Sequence, residues 1–141
     1  MTTKPSKPAT RDVVFRIRRF DPAAAGGPQE QDYVVPVPAG MVVLEALWYV
    51  KEHLDPTLAW RASCRMGVCG SCGMLIDGRP TLACNTQVRD VTRDGVVRLA
   101  PLPNFEVVRD LVSVPVARRK QEQGIVVTQL GCVAEGVEQG R

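Results

Sequence analysis

Four of the chain's five cysteines lie in the stretch SCRMGVCGSCGMLIDGRPTLAC, from Ser63 to Cys84. Their spacing, C-x4-C-x2-C-x11-C, puts Cys64, Cys69 and Cys72 in one loop and Cys84 in the segment that follows. Four thiolates gathered so tightly suit one compact metal centre. A chain that must close them around such a centre has little freedom in how it folds. Gly67, Gly70 and Gly73 alternate with the cysteines, and glycine lets a backbone take positive φ or approach a bulky inorganic core closely.

The first three cysteines match the C-x4-C-x2-C run of plant-type [2Fe-2S] sites, whose fourth thiolate comes from elsewhere in the chain. Each iron takes two thiolates, so the three-cysteine loop needs an outside arm, and Cys84 is that arm. The amides of the three glycines and of Arg65, Met66, Val68 and Ser71 are placed to point at the sulfurs. Such N–H···S bonds, with net charge and solvent exposure, set a cluster's reduction potential. A structural zinc site usually shows two C-x2-C pairs, and only Cys69 and Cys72 have that spacing here. A disulfide framework belongs to small secreted domains. The spacing therefore ranks an iron–sulfur cluster first, zinc second and disulfides last.

The flanking sequence reads as a small domain built around this loop. Val13 to Phe20 alternates, with Val13, Phe15 and Ile17 on one face and Val14, Arg16 and Arg18 on the other, which predicts a half-buried strand. Asp21 to Asp32 is a Gly-, Pro- and Ala-rich connection. Tyr33 to Val37 is a second strand, and Pro36 within it predicts that the strand lies at a sheet edge or finishes early. Met41 to Leu54 is expected to be one helix with Leu44, Leu47, Trp48, Lys51 and Leu54 on a core-facing side, stopped by Asp55-Pro56. His53, the only histidine, is expected at the surface. Met74 to Ile76 and Thr81 to Ala83 flank Asp77-Gly78-Arg79-Pro80 as a hairpin, and Val96 to Ala100 is a further strand. Phe105, Val108 and Leu111 or Val112 have helical spacing. Ile125 to Leu130 fits either a strand or a buried run, Arg118, Arg119 and Lys120 a solvated basic face, and Cys132 a lone thiol.

The run CRMGVCGSC, the M-x-I-D-G turn and T-L-A-C together resemble the N-terminal domain of the iron–sulfur subunit of succinate dehydrogenases and fumarate reductases. The fourth cysteine, so close to the third, separates this pattern from ordinary plant-type ferredoxins. The resemblance continues upstream through GMVVLEALWYVKEHLDPTLAWRASC and downstream through PLPNFEVVRDLV, about residues 13 to 112. It implies an α+β, β-grasp ferredoxin-like fold, a small mixed sheet packed on one helix, with Cys64, Cys69, Cys72 and Cys84 as the ligands of a [2Fe-2S] cluster. Residues 11–112 would form that domain, 1–10 a disordered tail and 113–141 an extension. In the family, a second domain holds [4Fe-4S] and [3Fe-4S] clusters, for which the one remaining cysteine cannot provide.

The resemblance implies a flavoprotein (FAD) partner and a separate subunit carrying those further clusters and a membrane anchor. The leading expectation is one relay of a succinate dehydrogenase or fumarate reductase-like complex. A free soluble ferredoxin serving a flavoprotein and another acceptor is the alternative, and a structural or sensory cluster domain comes third. No acid–base pair, nucleophile or open metal site is legible, so the chain alone is not expected to turn over a metabolite. With 141 residues and 45% hydrophobic content, the chain is long enough for one modest core. A net charge of +3 is too small to argue for nucleic acid, and no apolar run approaches a membrane span. With no signal peptide in the first residues, the expected location is the cytoplasm, at the inner membrane's cytoplasmic face when held in a complex.

Overall fold

The computed structural model describes residues 9–115 and the backbone of two later strands. Strand β1, Arg11–Arg19, buries Val13, Phe15 and Ile17 and turns Val14, Arg16 and Arg18 away from the core, as its alternation predicts. It pairs antiparallel with β2, Gln29–Val37, and parallel with β5, Val96–Ala100. Strand β3, Gly73–Ile76, pairs antiparallel with β5 and with β4, Arg79–Leu82. The order is β2-β1-β5-β3-β4, a five-stranded mixed sheet. Proline cannot donate to a ladder, and both strand prolines of this sheet, Pro36 and Pro80, lie on its edges.

The β3–β4 turn is tighter than expected. Ile76 pairs directly with Arg79, so only Asp77 and Gly78 lie between the strands, with φ of 50° and 78°. Positive φ at both positions is the mark of a type I′ hairpin, which follows the strand twist. Arg79 and Pro80 therefore belong to the strand, and the strand ends before Ala83.

One main helix covers the sheet, shorter than the predicted Met41 to Leu54. Helix α1 spans Val43–Tyr49, and a single π turn, Val50–Leu54, continues it. Met41 and Val42 are held extended, because Val42 bridges Gln87, and Val88 N–H donates to the Met41 carbonyl at 2.9 Å. The helix start is capped by Glu45, whose carboxylate accepts the Val42 amide at 2.9 Å. Val43, Leu44, Ala46, Leu47 and Val50 face the core. Trp48 and Leu54, assigned to that face by their spacing, are instead substantially exposed. The wide turn inserts an extra residue per turn, which carries Leu54 outward; Asp55 N–H closes it onto the Val50 carbonyl at 2.7 Å.

The segment with helical spacing after Pro103 is a hairpin. Strands β6, Phe105–Arg109, and β7, Val112–Pro115, pair antiparallel with a register shift between Val107 and Arg109. Three β-branched valines and a left-handed Asp110, φ 46°, favour an extended chain with a sharp turn over a helix. Val112, the expected end of the domain, opens β7. Strands β8, Ile125–Thr128, and β9, Gly131–Ala134, form a separate hairpin, so the run from Ile125 begins as a strand. The tail up to Pro8, the basic run at Arg118 and the side chain of Cys132 lie outside the described residues.

A polar cluster ties the β6–β7 turn to the domain. Arg19 donates Nε–H to Asp110 at 2.8 Å and Nη1–H to Asp55 at 2.6 Å, and the Tyr33 hydroxyl donates to Asp55 at 2.7 Å. Burial and the bond to Asp55 push the Tyr33 phenol up to about 12. At Asp55, burial opposes ionisation, but hydrogen bonds from Thr57, Tyr33 and Arg19 outweigh it and hold the carboxyl well below the usual carboxylate range. A depressed native pKa stabilises the fold above the unfolded value near 3.8, and that contribution fades from there and is lost as pH falls through the lower folded value. Asp55→Asn should therefore lower stability at neutral pH, and the gap to wild type should narrow as pH drops from about 5 towards 3. Denaturant titrations of both proteins at matched pH values read this difference. A gap that stays constant with pH would contradict it.

Candidate cluster-binding site

The ligand loop leaves the core at Leu58, which is fully buried, and its entry is fixed from two sides. Ala59 donates its amide to Asp110 at 2.9 Å and accepts the Leu111 amide at 3.2 Å. Trp60 packs edge-on against Trp48 with centroids 5.3 Å apart. From there the chain coils through three left-handed residues, Arg65, Gly67 and Gly70, with φ of 58°, 76° and 73°. This path turns successive amides inward. At Gly73 the constraint is space, since a Cβ would meet the Gly70 carbonyl oxygen at 3.2 Å.

The inward amides find the thiols. Cys64 Sγ accepts from the N–H groups of Met66, Val68 and Cys69 at 3.3 to 3.4 Å. Cys69 Sγ accepts from Ser71 at 3.4 Å and from Cys64 at 3.5 Å. Strands β3 and β4 then return the chain to the loop. Ala83 N–H donates to the Cys72 carbonyl at 3.2 Å, and a 3₁₀ turn, Ala83–Asn85, presents Cys84. The Cys84 amide donates to Cys72 Sγ at 3.4 Å. Of the cysteines singled out from the sequence, the structure links Cys64 with Cys69 and Cys72 with Cys84.

Of the seven amides expected to reach a sulfur, those of Met66, Val68 and Ser71 do so, whereas those of Arg65, Gly67, Gly70 and Gly73 do not, Gly73 donating instead to the Gly70 carbonyl at 3.1 Å. The sequence reading missed the amides of Cys64, Cys69 and Cys84, because donation by a ligand's own backbone to its neighbour leaves no residue-type signal. His53 stands apart, exposed and stacked on Tyr49, with Nδ1 3.2 Å from the Tyr49 carbonyl oxygen.

The two pairs differ in surroundings. Cys69 is exposed, and hydrogen bonding from the Ser71 side chain, with the amides of Cys64 and Ser71, draws its thiol down to about 6. It is a ready thiolate at neutral pH. Cys72 is 4% exposed, and burial pushes its thiol up; metal binding must drive out that proton. Four soft sulfur donors with six N–H···S bonds suit iron and inorganic sulfide. Among the described residues no three His, Cys, Asp or Glu side chains converge on a single metal ion.

A β-grasp sheet with a ligand loop and hairpin that carry two linked cysteine pairs has the form of a ferredoxin-like domain. The 2Fe-2S iron-sulfur cluster binding domain model matches residues 14–120, and the chain belongs to that family. Its cofactor is a [2Fe-2S] cluster. The chain is 48% identical over 100 residues to the fumarate reductase iron-sulfur subunit of Mycobacterium tuberculosis, covering 71% of this chain and 40% of the relative. It is 38% identical over 113 residues to the mitochondrial succinate dehydrogenase [ubiquinone] iron-sulfur subunit of Dictyostelium discoideum, covering 79% and 39%. Among solved structures, a chain of the Mycobacterium smegmatis Sdh1 complex in the apo form superposes with a TM-score of 0.71 at 32% identity, covering 94% of this chain and 54% of that one. The chain therefore spans about 40% of the length of these curated relatives.

Proposed function

We propose that the chain is a one-electron relay, and that it takes electrons from, or returns them to, a flavoprotein within a succinate dehydrogenase or fumarate reductase-like assembly. The observation that carries this reading is the set of six N–H···S bonds drawn round two thiol pairs. In this reading Cys64 and Cys69 hold one iron, and Cys72 and Cys84 hold the other. The cluster supplies reversible one-electron chemistry without bonding to a substrate. The protein's share is to hold the four thiolates and keep water from the Cys72 side. Its amides offset the negative charge that reduction adds.

The relatives are iron-sulfur subunits of fumarate reductase and succinate dehydrogenase, and this supports a flavoprotein and a further cluster-bearing subunit as partners. Among the described residues no helix is long and apolar enough to cross a membrane. In this reading the chain is held at the cytoplasmic face of the inner membrane through such a complex. The test is an anaerobic affinity purification from the native cells, with mass spectrometry and a flavin assay on the same sample. A flavoprotein and a cysteine-rich subunit in fixed ratio support the relay. A cluster-loaded chain that comes alone contradicts it and favours the free ferredoxin.

A further inference from the structure

Three residues of the ligand loop take positive φ. Two of them are glycine, and the third is Arg65, at 58°. A long side chain is rarely placed there, so the backbone strain must be set against something the side chain does. Its neighbours in the loop do not hold it, for Met66 and Val68 stand in water at 73% and 78% exposed. The Arg65 guanidinium instead reaches back to helix α1 and lies over the Trp48 ring, its carbon 5.4 Å from the centroid, a cation–π distance.

Trp48 is itself braced. Trp60 meets it edge-on with centroids 5.3 Å apart, and the Lys51 ammonium lies 5.2 Å from the Trp60 centroid while donating to the Leu58 carbonyl at 3.0 Å. The row runs cation, indole, indole, cation. Trp48 and Lys51 come from the helix and the π turn after it, Trp60 and Arg65 from the loop, so the row fastens the outer side of the helix to the ligand loop. This accounts for a tryptophan kept partly in solvent. It also fixes a charge. From Pro56 to Ile76 the sequence contains Arg61 and Arg65 and no Asp or Glu, so the loop's own charge is all positive. Arg65 follows Cys64 directly, and the next amide, that of Met66, lies 3.4 Å from Cys64 Sγ.

We propose that Arg65 is a potential-setting residue and Trp48 its positioning residue: the cation clamped beside Cys64 raises the reduction potential of the cluster that the four thiolates hold. Reduction adds negative charge, so a nearby cation stabilises the reduced form more than the oxidised one. The amides bonded to sulfur act in the same sense, but they belong to the backbone. Arg65 is the part of that field which a substitution can remove. The clamp matters because Arg65 is exposed, and a guanidinium released into solvent is screened by salt and spread over many positions. The inference rests on the redox-active cluster of the relay reading and on no particular partner.

The test is an anaerobic redox titration of the cluster-loaded full chain, with iron and sulfide analysis to match the loading of wild type and variants. Arg65→Gln and Arg65→Gly should each lower the ratio of reduced to oxidised cluster at a fixed applied potential by about threefold, a midpoint about 30 mV more negative at about 59 mV per tenfold for one electron. Glycine favours the left-handed backbone and glutamine does not, so agreement between the two assigns the shift to charge; either decides the matter if the other loses its cluster. Arg65→Lys should keep the wild-type midpoint. Trp48→Leu should shift the midpoint in the same direction by less, and should add nothing in the Arg65→Gln background. Raising the salt should shrink each difference. Unchanged midpoints in Arg65→Gln and Arg65→Gly, or an equal fall in Arg65→Lys, overturn the inference while the relay reading stands. A Trp48→Leu midpoint equal to wild type overturns the positioning role of Trp48. A wild-type centre that takes up no electron overturns the relay reading and the inference with it.

Discussion

Cys84→Ser should strip the protein of its visible iron–sulfur spectrum, and so should serine at Cys64, Cys69 or Cys72. The four thiols form two pairs joined by N–H···S bonds, and in the proposed ligand set loss of one leaves an iron with a single thiolate. Serine's harder oxygen sits on a shorter bond and binds iron less well than thiolate does. Cys72 should be the least forgiving position, because it is buried and its replacement has no water-filled space in which to adjust. Cys84 tests the geometry most sharply, since it alone arrives by way of the β3–β4 hairpin. Cys132→Ser should leave the spectrum intact, since the proposed ligand set already counts four thiolates. Anaerobic absorption spectra with iron and sulfide assays read these outcomes. Unchanged spectra in all four loop and hairpin variants would contradict the ligand set, and loss in Cys132→Ser would add a ligand to it.

The largest effect on stability is expected at Asp110. Its side chain is 2% exposed and accepts from Arg19 Nε, Phe20 N–H and Ala59 N–H at 2.8 to 3.0 Å. Its own amide donates to the Phe20 carbonyl at 2.9 Å. Asp110→Ala leaves the Arg19 Nε–H and two amides without their acceptor, although Arg19 keeps its bond to Asp55, and places alanine at positive φ. Removing one partner of a buried charged pair typically costs about 3–5 kcal/mol, and because Arg19 keeps Asp55 the loss should fall at or below the low end of that range, still a large share of an ordinary domain's stability. Asp110→Asn tolerates the left-handed backbone and keeps one acceptor oxygen, so it should cost less. Denaturant unfolding of the cluster-loaded proteins measures both. Equal stability of wild type and Asp110→Ala would contradict the role given to this carboxylate. Because Asp110 also fixes Ala59 at the entry to the ligand loop, the alanine variant should lose its cluster sooner under mild denaturant.

What could be read from the sequence divides along physical lines. The strand Arg11–Arg19 and the edge position of Pro36 were legible because alternation and a missing donor are local properties. The four thiols were legible because metal ligation restricts residue type and spacing together. The π turn at Val50–Leu54 was not, since widening a helix by one residue depends on what packs beneath it. The β6–β7 hairpin was misread because apolar residues three apart over so short a run fit either period. What decides it is Asp110 reaching across to Arg19, a contact between residues far apart in the chain. The exposure of Met66 and Val68 was equally hidden, for only the inward turn of their amides shows that the side chains must point out.

The most direct test of the central claim is an anaerobic redox titration of the purified chain, followed by electron paramagnetic resonance and paired with iron and inorganic sulfide analysis. The account predicts about two irons and two sulfides per chain, with about one electron taken up reversibly and one unpaired spin appearing as the visible colour bleaches. Zinc in place of iron, a single iron without sulfide, or a centre that takes up no electron would contradict it.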